Sequence, residues 1–373
     1  MTQPTSPAAL EHVIAALLRG EPLDRRQLRH FGAAAIHEAA NLHEVLPLIA
    51  DRLALVPELP VDFREHFLEE LHRITAVDLA LEAELRRLHR AFDAAQVPLL
   101  LVKGGHLAYT HYPRPDLRAR VDSDVLVARG DRDRAEAILA GLGYAAPAKL
   151  SGELTATQKT YIRTADGADL HVIDLHWRLA SPQVFARVLS FEELYASSVP
   201  IRTLGAAARG PCDVHALVIA CMHRIAHHHD EADRFKWLLD IHLIASGLSP
   251  AQWEAFLALA LEREVSAVCL DGLQRAAEWF HTVIPAAVLD DPRLPDARSR
   301  EATAEFLHVR PRAREVLDDL RVVPTWSGRL QLLREHMFPE ATYMREVYAP
   351  GSRLPLAILY ALRIVRGAAA WMR

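Results

Sequence analysis

A strand that runs into Lys-Gly-Gly, followed by a second strand with two aspartates, is the feature that most constrains this chain. Residues 97–102 are mostly Val and Leu, which predicts a short buried strand. It ends at Gly104-Gly105, where a backbone without Cβ atoms can turn tightly, and residues 106–112 predict a short helix directly afterwards. That helix N-terminus would offer free N–H groups to a phosphate, and Lys103 would add a positive charge.

The second strand carries Asp122-Ser123-Asp124 within the run 121–127. Because side chains alternate along a strand, we expect Asp122 and Asp124 on the same face. Neighbouring carboxylates repel each other unless a cation lies between them, and hard oxygen ligands favour Mg²⁺, with Mn²⁺ also possible. An isolated Asp-x-Asp is more simply a solvated strand end, but the Lys-Gly-Gly turn upstream favours a metal site.

These elements resemble the uncharacterised nucleotidyltransferase family of bacteria, within the DNA polymerase β-like superfamily. The resemblance is carried by Lys103-Gly104-Gly105, Tyr112, Arg118 and the run DSDVLV at 122–127. It implies an α+β fold with a polymerase β-like nucleotidyltransferase core, a small mixed sheet with helices. The spacing from Gly105 to Asp122 is somewhat longer than in many superfamily members.

A third carboxylate follows in a predicted hairpin around the turn Asp166-Gly167. In its second arm, DLHVIDLHWRL, alternation places Asp174 and His176 on one face. An acidic residue followed by Leu-His-Trp also resembles the family, which implies that Asp174 is the third metal-site carboxylate; the alternative is a solvated aspartate on an edge strand. For His176 we consider a partner of Asp174, a structural hydrogen bond and, less favoured, direct metal ligation.

The resemblance implies in-line displacement at the α-phosphate of a nucleoside triphosphate (NTP) with two metal ions. Asp122 and Asp124 would bridge both ions, and Asp174 would ligate the ion that activates the acceptor and take the proton of the acceptor. Lys103, Gly104 and Gly105 would bind the β- and γ-phosphates. Arg118 has two open roles, which are neutralising phosphate charge and fixing the aspartate strand by a bidentate bond.

A histidine-rich stretch precedes a further element that resembles the family, Arg234 to Ile241. Arg234 and Lys236 are candidates for contacts with the triphosphate or acceptor, and Asp240 for positioning the acceptor or anchoring a helix. The alternative for each is a simple surface or structural role. The histidine-rich stretch also offers a competing metal phosphohydrolase site, made of His223, His227, His229 and Asp230, although its spacing does not fit one.

Periodicity divides the 373 residues into an N-terminal helical region (1–95), an α/β nucleotidyltransferase core (96–208) and a C-terminal helical domain (209–373). The net charge of −5 disfavours a nucleic-acid partner. Three cysteines without paired spacing, no signal peptide and no membrane-spanning run indicate a cytoplasmic protein. Residues 354–373 predict an amphipathic helix, which we expect to pack on the protein rather than lie on a membrane.

The leading hypothesis is therefore a Mg²⁺-dependent transferase that moves a nucleoside monophosphate, AMP in preference to others, to a small-molecule or protein acceptor. The acceptor group would be a hydroxyl or an amine, and pyrophosphate would leave. The first alternative is a nucleotide- or partner-binding regulatory module with weak catalysis, and the second is the phosphohydrolase. The sequence leaves the acceptor, the base and the oligomeric state open.

Overall fold

The computed structural model describes residues 7–22, 24–147, 156–165, 168–180, 182–226, 233–308, 312–348, 350 and 354–371. The chain begins with four helices: α1 (Pro7–Leu18), α2 (Arg25–Leu42), α3 (Leu46–Ala54) and α4 (Val61–Ala94). Asp24 caps α2 by accepting hydrogen bonds from the backbone N–H groups of Arg26 and Gln27. The helices predicted for the N-terminal region are confirmed.

A four-stranded mixed sheet follows, made of β1 (Leu100–Leu101), β2 (Ser123–Leu126), β3 (Gln158–Ala165) and β4 (Ala168–His176). The strand order is β1-β2-β4-β3. β2 and β4 run parallel, whereas β1 pairs antiparallel with β2 and β3 pairs antiparallel with β4. The predicted hairpin is confirmed as β3–β4, while its turn residues Asp166 and Gly167 lie outside the described residues.

Short elements surround this sheet: α5 (Lys103–Thr110), α6 (Arg132–Gly141), α7 (Phe191–Ala196) and a small second sheet of β5 (Val199–Pro200) and β6 (Arg209–Gly210). Single 3₁₀ turns lie at Pro115–Leu117, Arg129–Asp131 and Arg202–Leu204. Just after α6, Gly143 adopts a positive φ of 83°, which glycine tolerates without a Cβ penalty. The small mixed sheet with helices on either side confirms the predicted α+β class.

The rest of the described chain is helical, and its elements are α8 (Asp213–Ala226), α9 (Phe235–Gly247), α10 (Pro250–Glu262), α11 (Ser266–Phe280), α12 (Ala286–Leu289), α13 (Leu294–Arg300), a 3₁₀ helix at Ala302–Leu307, α14 (Arg312–Val322), α15 (Trp326–Met337), α16 (Ala341–Tyr343), a π-helix at Met344–Tyr348 and α17 (Leu356–Trp371). No helix within the described ranges is long and apolar enough to cross a bilayer.

Two hydrophobic clusters hold these elements together. One joins the sheet to α6 and the second half of α4, where Leu88 and Phe92 contact the core of Val125 and Leu175. The other joins α1–α3 to α8–α11, so residues 7–54 and 213–280 contribute to one apolar core. The sheet therefore lies against a helical body built from residues before and after it in the sequence, and the division at residues 95 and 208 stays a prediction.

Candidate active site

The parallel pairing of β2 with β4 places two predicted carboxylates side by side. Asp124 lies directly opposite Asp174 in the strand register, while the alternate residues Val125 and Leu175 are fully buried. Residues opposite each other on adjacent strands project to the same face, and apolar neighbours on the other face fix that orientation. The sheet thus presents two carboxylates together on the face away from the core of Val125 and Leu175.

His176 completes this group. Among the residues that the structure describes, Asp124, Asp174 and His176 form the one set of three potential metal ligands whose donor atoms all lie within 4.8 Å of one another. The Nε2 atom of His176 lies 2.7 Å from Asp124 Oδ1, and its Nδ1 atom lies 3.2 Å from the carbonyl oxygen of Arg178. In the free protein the hydrogen bond to Asp124 places a proton on Nε2. Binding an ion at Nε2 would need the other tautomer, with the proton on Nδ1 and directed to this carbonyl, which is the usual arrangement of a metal-ligating histidine. The hydrogen-bond partner of His176 is Asp124 rather than Asp174, and direct ligation stays a prediction.

Lys103 meets the same group from the start of α5. Its Nζ atom lies 2.7 Å from Asp124 Oδ1 and 3.3 Å from His176 Nε2. Burial would raise the pKa of Asp124, but Lys103 and the His176 hydrogen bond outweigh it and hold this pKa below its usual range. Burial, and then Lys103, lower the pKa of His176. The ammonium group therefore lies where a cation between these donors would be expected.

The glycine pair does not form the predicted turn. α5 begins at Lys103 rather than at residue 106, and Lys103 itself adopts the left-handed φ of 51°. Both glycines lie in the first helical turn, where a Cβ on Gly104 would come within 3.1 Å of the Arg118 guanidinium and one on Gly105 within 2.9 Å of Leu101 Cδ1. The glycines serve close packing, and the helix N-terminus with its free N–H groups lies next to the carboxylates.

Asp174 is oriented by two side chains of β3 that the sequence did not single out. Thr160 Oγ1 donates to Asp174 Oδ1 at 2.5 Å, and the amide of Gln158 donates to Asp174 Oδ2. Thr160 lies directly opposite Asp174 because the register shifts at Arg163/Thr164. Without this bulge the two-residue turn would place Lys159 there, so the hairpin signal alone does not identify the partner.

Asp122 directly precedes β2 and lies outside the set of three donors. Burial raises its pKa to about 6, with further contributions from the charges of Asp124 and Asp174. The predicted sharing of one strand face is therefore only partly realised, because β2 begins at Ser123. The charges of both carboxylates still act on Asp122, which remains a predicted ligand.

Arg118 forms a bidentate pair, but not with the aspartate strand. Its Nε and Nη2 atoms donate to the two carboxylate oxygens of Asp240 at 2.8 and 2.6 Å, and Tyr112 Oη donates to Asp240 Oδ1 at 2.8 Å. The side chains of Arg118 and Asp240 are 5% and 6% exposed. This buried cluster joins the segment between α5 and β2 to α9, which favours the anchoring role for Asp240.

Arg234 and Lys236 lie near the same helix start but point to the N-terminal region. Lys236 Nζ pairs with Glu44, and Arg234 Nη1 lies 3.6 Å from the same carboxylate. The structure therefore does not bring them into contact with the carboxylates of the sheet. The Lys236 charge still acts on Asp122, whose pKa it lowers slightly against the larger opposing effects.

A cleft between α5 and α8 reaches Lys103 and Gln158, which contact Asp124 and Asp174. It has two adjoining parts, and both are lined by Lys103, Ile219 and His223. Sequence reasoning assigned His223 to a phosphohydrolase site, whose other members, His227, His229 and Asp230, lie outside the described residues.

Comparison with protein-family models gives one match, to the uncharacterised nucleotidyltransferase family, over residues 30–281. Comparisons with curated proteins and with solved structures give no significant match. The matched residues include both carboxylate strands, α5 and the helices that line the cleft. The chain therefore belongs to the uncharacterised nucleotidyltransferase family.

Proposed function

We propose that this protein is a metal-dependent nucleotidyltransferase that moves a nucleoside monophosphate, with AMP the expected one, from an NTP to a hydroxyl or amine acceptor. The observation that carries the proposal is the placement of Asp124, Asp174 and His176 within 4.8 Å of one another beside the N-terminus of α5. The three side chains suit a divalent cation, and the helix N-terminus suits phosphate. A cytoplasmic location, which would supply both NTP and metal, belongs to the same proposal.

The donor set fits a divalent ion. Asp124 and Asp174 supply the carboxylate oxygens that Mg²⁺ and Mn²⁺ prefer, and His176 supplies a nitrogen that Mn²⁺ accepts more readily. Asp122 would contribute to a second ion if two are used. When bound, such an ion neutralises phosphate charge and stabilises the attacking and leaving oxygens.

Residues of the chain itself would bind the phosphates and take up the proton of the acceptor. The N–H groups of Lys103, Gly104 and Gly105 would bind the β- and γ-phosphates, with the Lys103 ammonium turning from Asp124 towards them. The acceptor oxygen or nitrogen attacks the α-phosphorus, the bond to the bridging oxygen of the β-phosphate breaks, and pyrophosphate leaves. Asp174, held by Thr160 and Gln158, would take the proton of the acceptor.

The outer cations would act less directly. Arg118 is held by Asp240 beneath Gly104, so its charge would support the phosphate site from behind the helix. Lys236 and Arg234 would reach a triphosphate only by exchanging Glu44 for phosphate oxygens. NTP binding would then weaken the contact between α9 and the N-terminal helices.

The test is calorimetric binding of non-hydrolysable analogues of the four NTPs, with Mn²⁺ or Mg²⁺, to the native chain and to Asp124→Asn/Asp174→Asn. We expect metal-dependent binding of one analogue that falls at least about tenfold in the variant. The matched control is Asp62→Asn/Asp93→Asn, which removes two exposed carboxylates from α4 and should bind as the native chain does.

Transfer itself is tested with α-labelled NTP, offered together with fractionated small molecules and proteins as acceptors. Label that becomes attached to an acceptor in the native chain and not in Asp124→Asn/Asp174→Asn supports the proposal. Nucleotide binding without transfer to any fraction would favour the regulatory module instead. Phosphate release that survives in the variant would favour the phosphohydrolase.

A further inference from the structure

An exposed apolar surface on α15 and α17 has no role in the proposed nucleotidyl site. Both helices lie outside the residues that match the family. Trp326, Leu330 and Leu333 of α15 are 77%, 65% and 39% exposed. They are spaced i, i+4, i+7 and therefore form a single stripe along the helix. An apolar stripe that faces water in this way marks an interaction surface.

The neighbouring helix repeats the same pattern. Ile358, Leu362 and Val365 of α17 are 45%, 37% and 74% exposed and have the same spacing. The two helices are joined near the end of α15. Tyr360 Oη donates to the carbonyl oxygen of Pro339, and Arg363 Nη1 donates to that of His336, at 2.6 and 2.7 Å.

The sequence of this region has a charge opposite to that of the whole chain. Residues 324–373 contain seven arginines and three glutamates, a net charge of +4, whereas the complete chain has a net charge of −5. Two of these arginines, Arg329 and Arg334, lie on α15 beside its stripe, and the Arg329 guanidinium lies 5.1 Å from the Trp326 ring centroid. Exposed Trp and Leu next to arginine are typical of helices that lie in a membrane interface.

We propose that α15 and α17 dock this enzyme on the surface of a bilayer with anionic headgroups, without crossing it, in place of the packing on the protein that the sequence favours for residues 354–373. The apolar stripes would enter the headgroup boundary and the arginines would pair with lipid phosphates. A second copy of the chain is a poorer occupant, because it would bring the same positive charge to the face. Docking of this kind would direct nucleotidyl transfer to acceptors at a membrane surface, and the membrane contact itself does not depend on the proposed activity.

The experiment is flotation of the full chain with vesicles of phosphatidylcholine alone or of phosphatidylcholine and phosphatidylglycerol in equal parts. We expect the native chain to float with the anionic vesicles at about 0.1 M salt and to be released at about 0.5 M. Leu330→Gln/Val365→Gln should lower the partition coefficient about tenfold or more, and both positions are exposed enough to tolerate the change. The matched control, Leu79→Gln/Val283→Gln, alters equally exposed residues elsewhere and should float like the native chain.

A native chain that stays unbound with both vesicle types at low salt would overturn the proposal. So would a dimer in sedimentation velocity that Leu330→Gln/Val365→Gln converts to a monomer without any vesicle binding, since the face would then join two copies. NTP binding measured on the same preparations separates this result from the proposed function. Loss of flotation with intact NTP binding would leave the nucleotidyl site unaffected.

Discussion

At the scale of single residues, Lys103 neutralises part of the candidate metal site in the free protein. Its side chain is 8% exposed, and its ammonium contacts both Asp124 and His176. A divalent ion bound to those two residues would displace Nζ, because both cations would occupy the space beside Asp124 Oδ1. The candidate metal site is therefore self-neutralised in the free protein, and entry of a metal ion would require the lysine to move.

This predicts that Lys103→Met binds Mn²⁺ more tightly than the native chain, by about tenfold, the equivalent of about 1.4 kcal/mol. The same variant should bind NTP more weakly, since the helix loses the charge directed at the phosphates. An electron paramagnetic resonance titration of free Mn²⁺ measures the first effect and calorimetry the second. Lys159→Met, which removes a lysine paired with Glu136 at 2.6 Å, is the control and should change neither. Weaker Mn²⁺ binding in Lys103→Met would contradict the displacement.

At the scale of elements, the pair Arg118–Asp240 joins the sheet region to α9. Asp240→Ala would leave a buried guanidinium without its carboxylate, and we expect the free energy of unfolding to fall by about 3–5 kcal/mol. Arg118→Met/Asp240→Leu, which replaces both charges by apolar groups, should recover much of this loss. Denaturant unfolding measures both variants. Asp296→Ala, in an exposed pair with Arg300, is the control, and its free energy of unfolding should change little. An equal loss of stability in Asp240→Ala and Asp296→Ala would refute the contribution of the buried pair.

Some features of these elements could be predicted from the sequence, and others could not. The Lys-Gly-Gly and Asp-x-Asp strands, the hairpin around Asp166-Gly167 and the helices before residue 95 follow from local periodicity and turn chemistry, and the structure contains each. The start of α5 and the partner of Asp174 depend instead on a left-handed Lys103 and a β-bulge, which no spacing reveals. The pairing of Lys236 with Glu44 depends on contacts between residues almost 200 positions apart, which lie beyond any local pattern.

At the scale of the whole molecule, buried histidines predict sensitivity to acid. Burial lowers the pKa of His89 and His171 to about 4 and that of His106 to about 3, whereas an exposed histidine titrates near 6.5. Between about pH 6.5 and 4 the unfolded chain binds protons that the folded chain does not bind. The free energy of unfolding should therefore fall as the pH falls through this window. Each histidine contributes up to about 1.4 kcal/mol per pH unit.

The measurement is the free energy of unfolding in urea at pH 7.5 and 5.5. His89→Gln, at a side chain that is 2% exposed in α4, should remove part of the difference between the two values even if it lowers both. His72→Gln, at an exposed position of the same helix, should leave the difference unchanged. A native chain that is equally stable at both pH values would disprove this account.

The helical body, built from residues before and after the sheet in the sequence, has a further consequence during synthesis. Arg19 donates a hydrogen bond to the carbonyl oxygen of Trp279, 260 positions later, and the apolar faces of α1–α3 pack against α8–α11. At about 5–20 residues per second, a ribosome would need roughly 10–50 s to make the later helices after the first ones emerge. Throughout that interval the nascent chain carries an uncovered apolar surface, so we expect this protein to depend on chaperones while it is being translated.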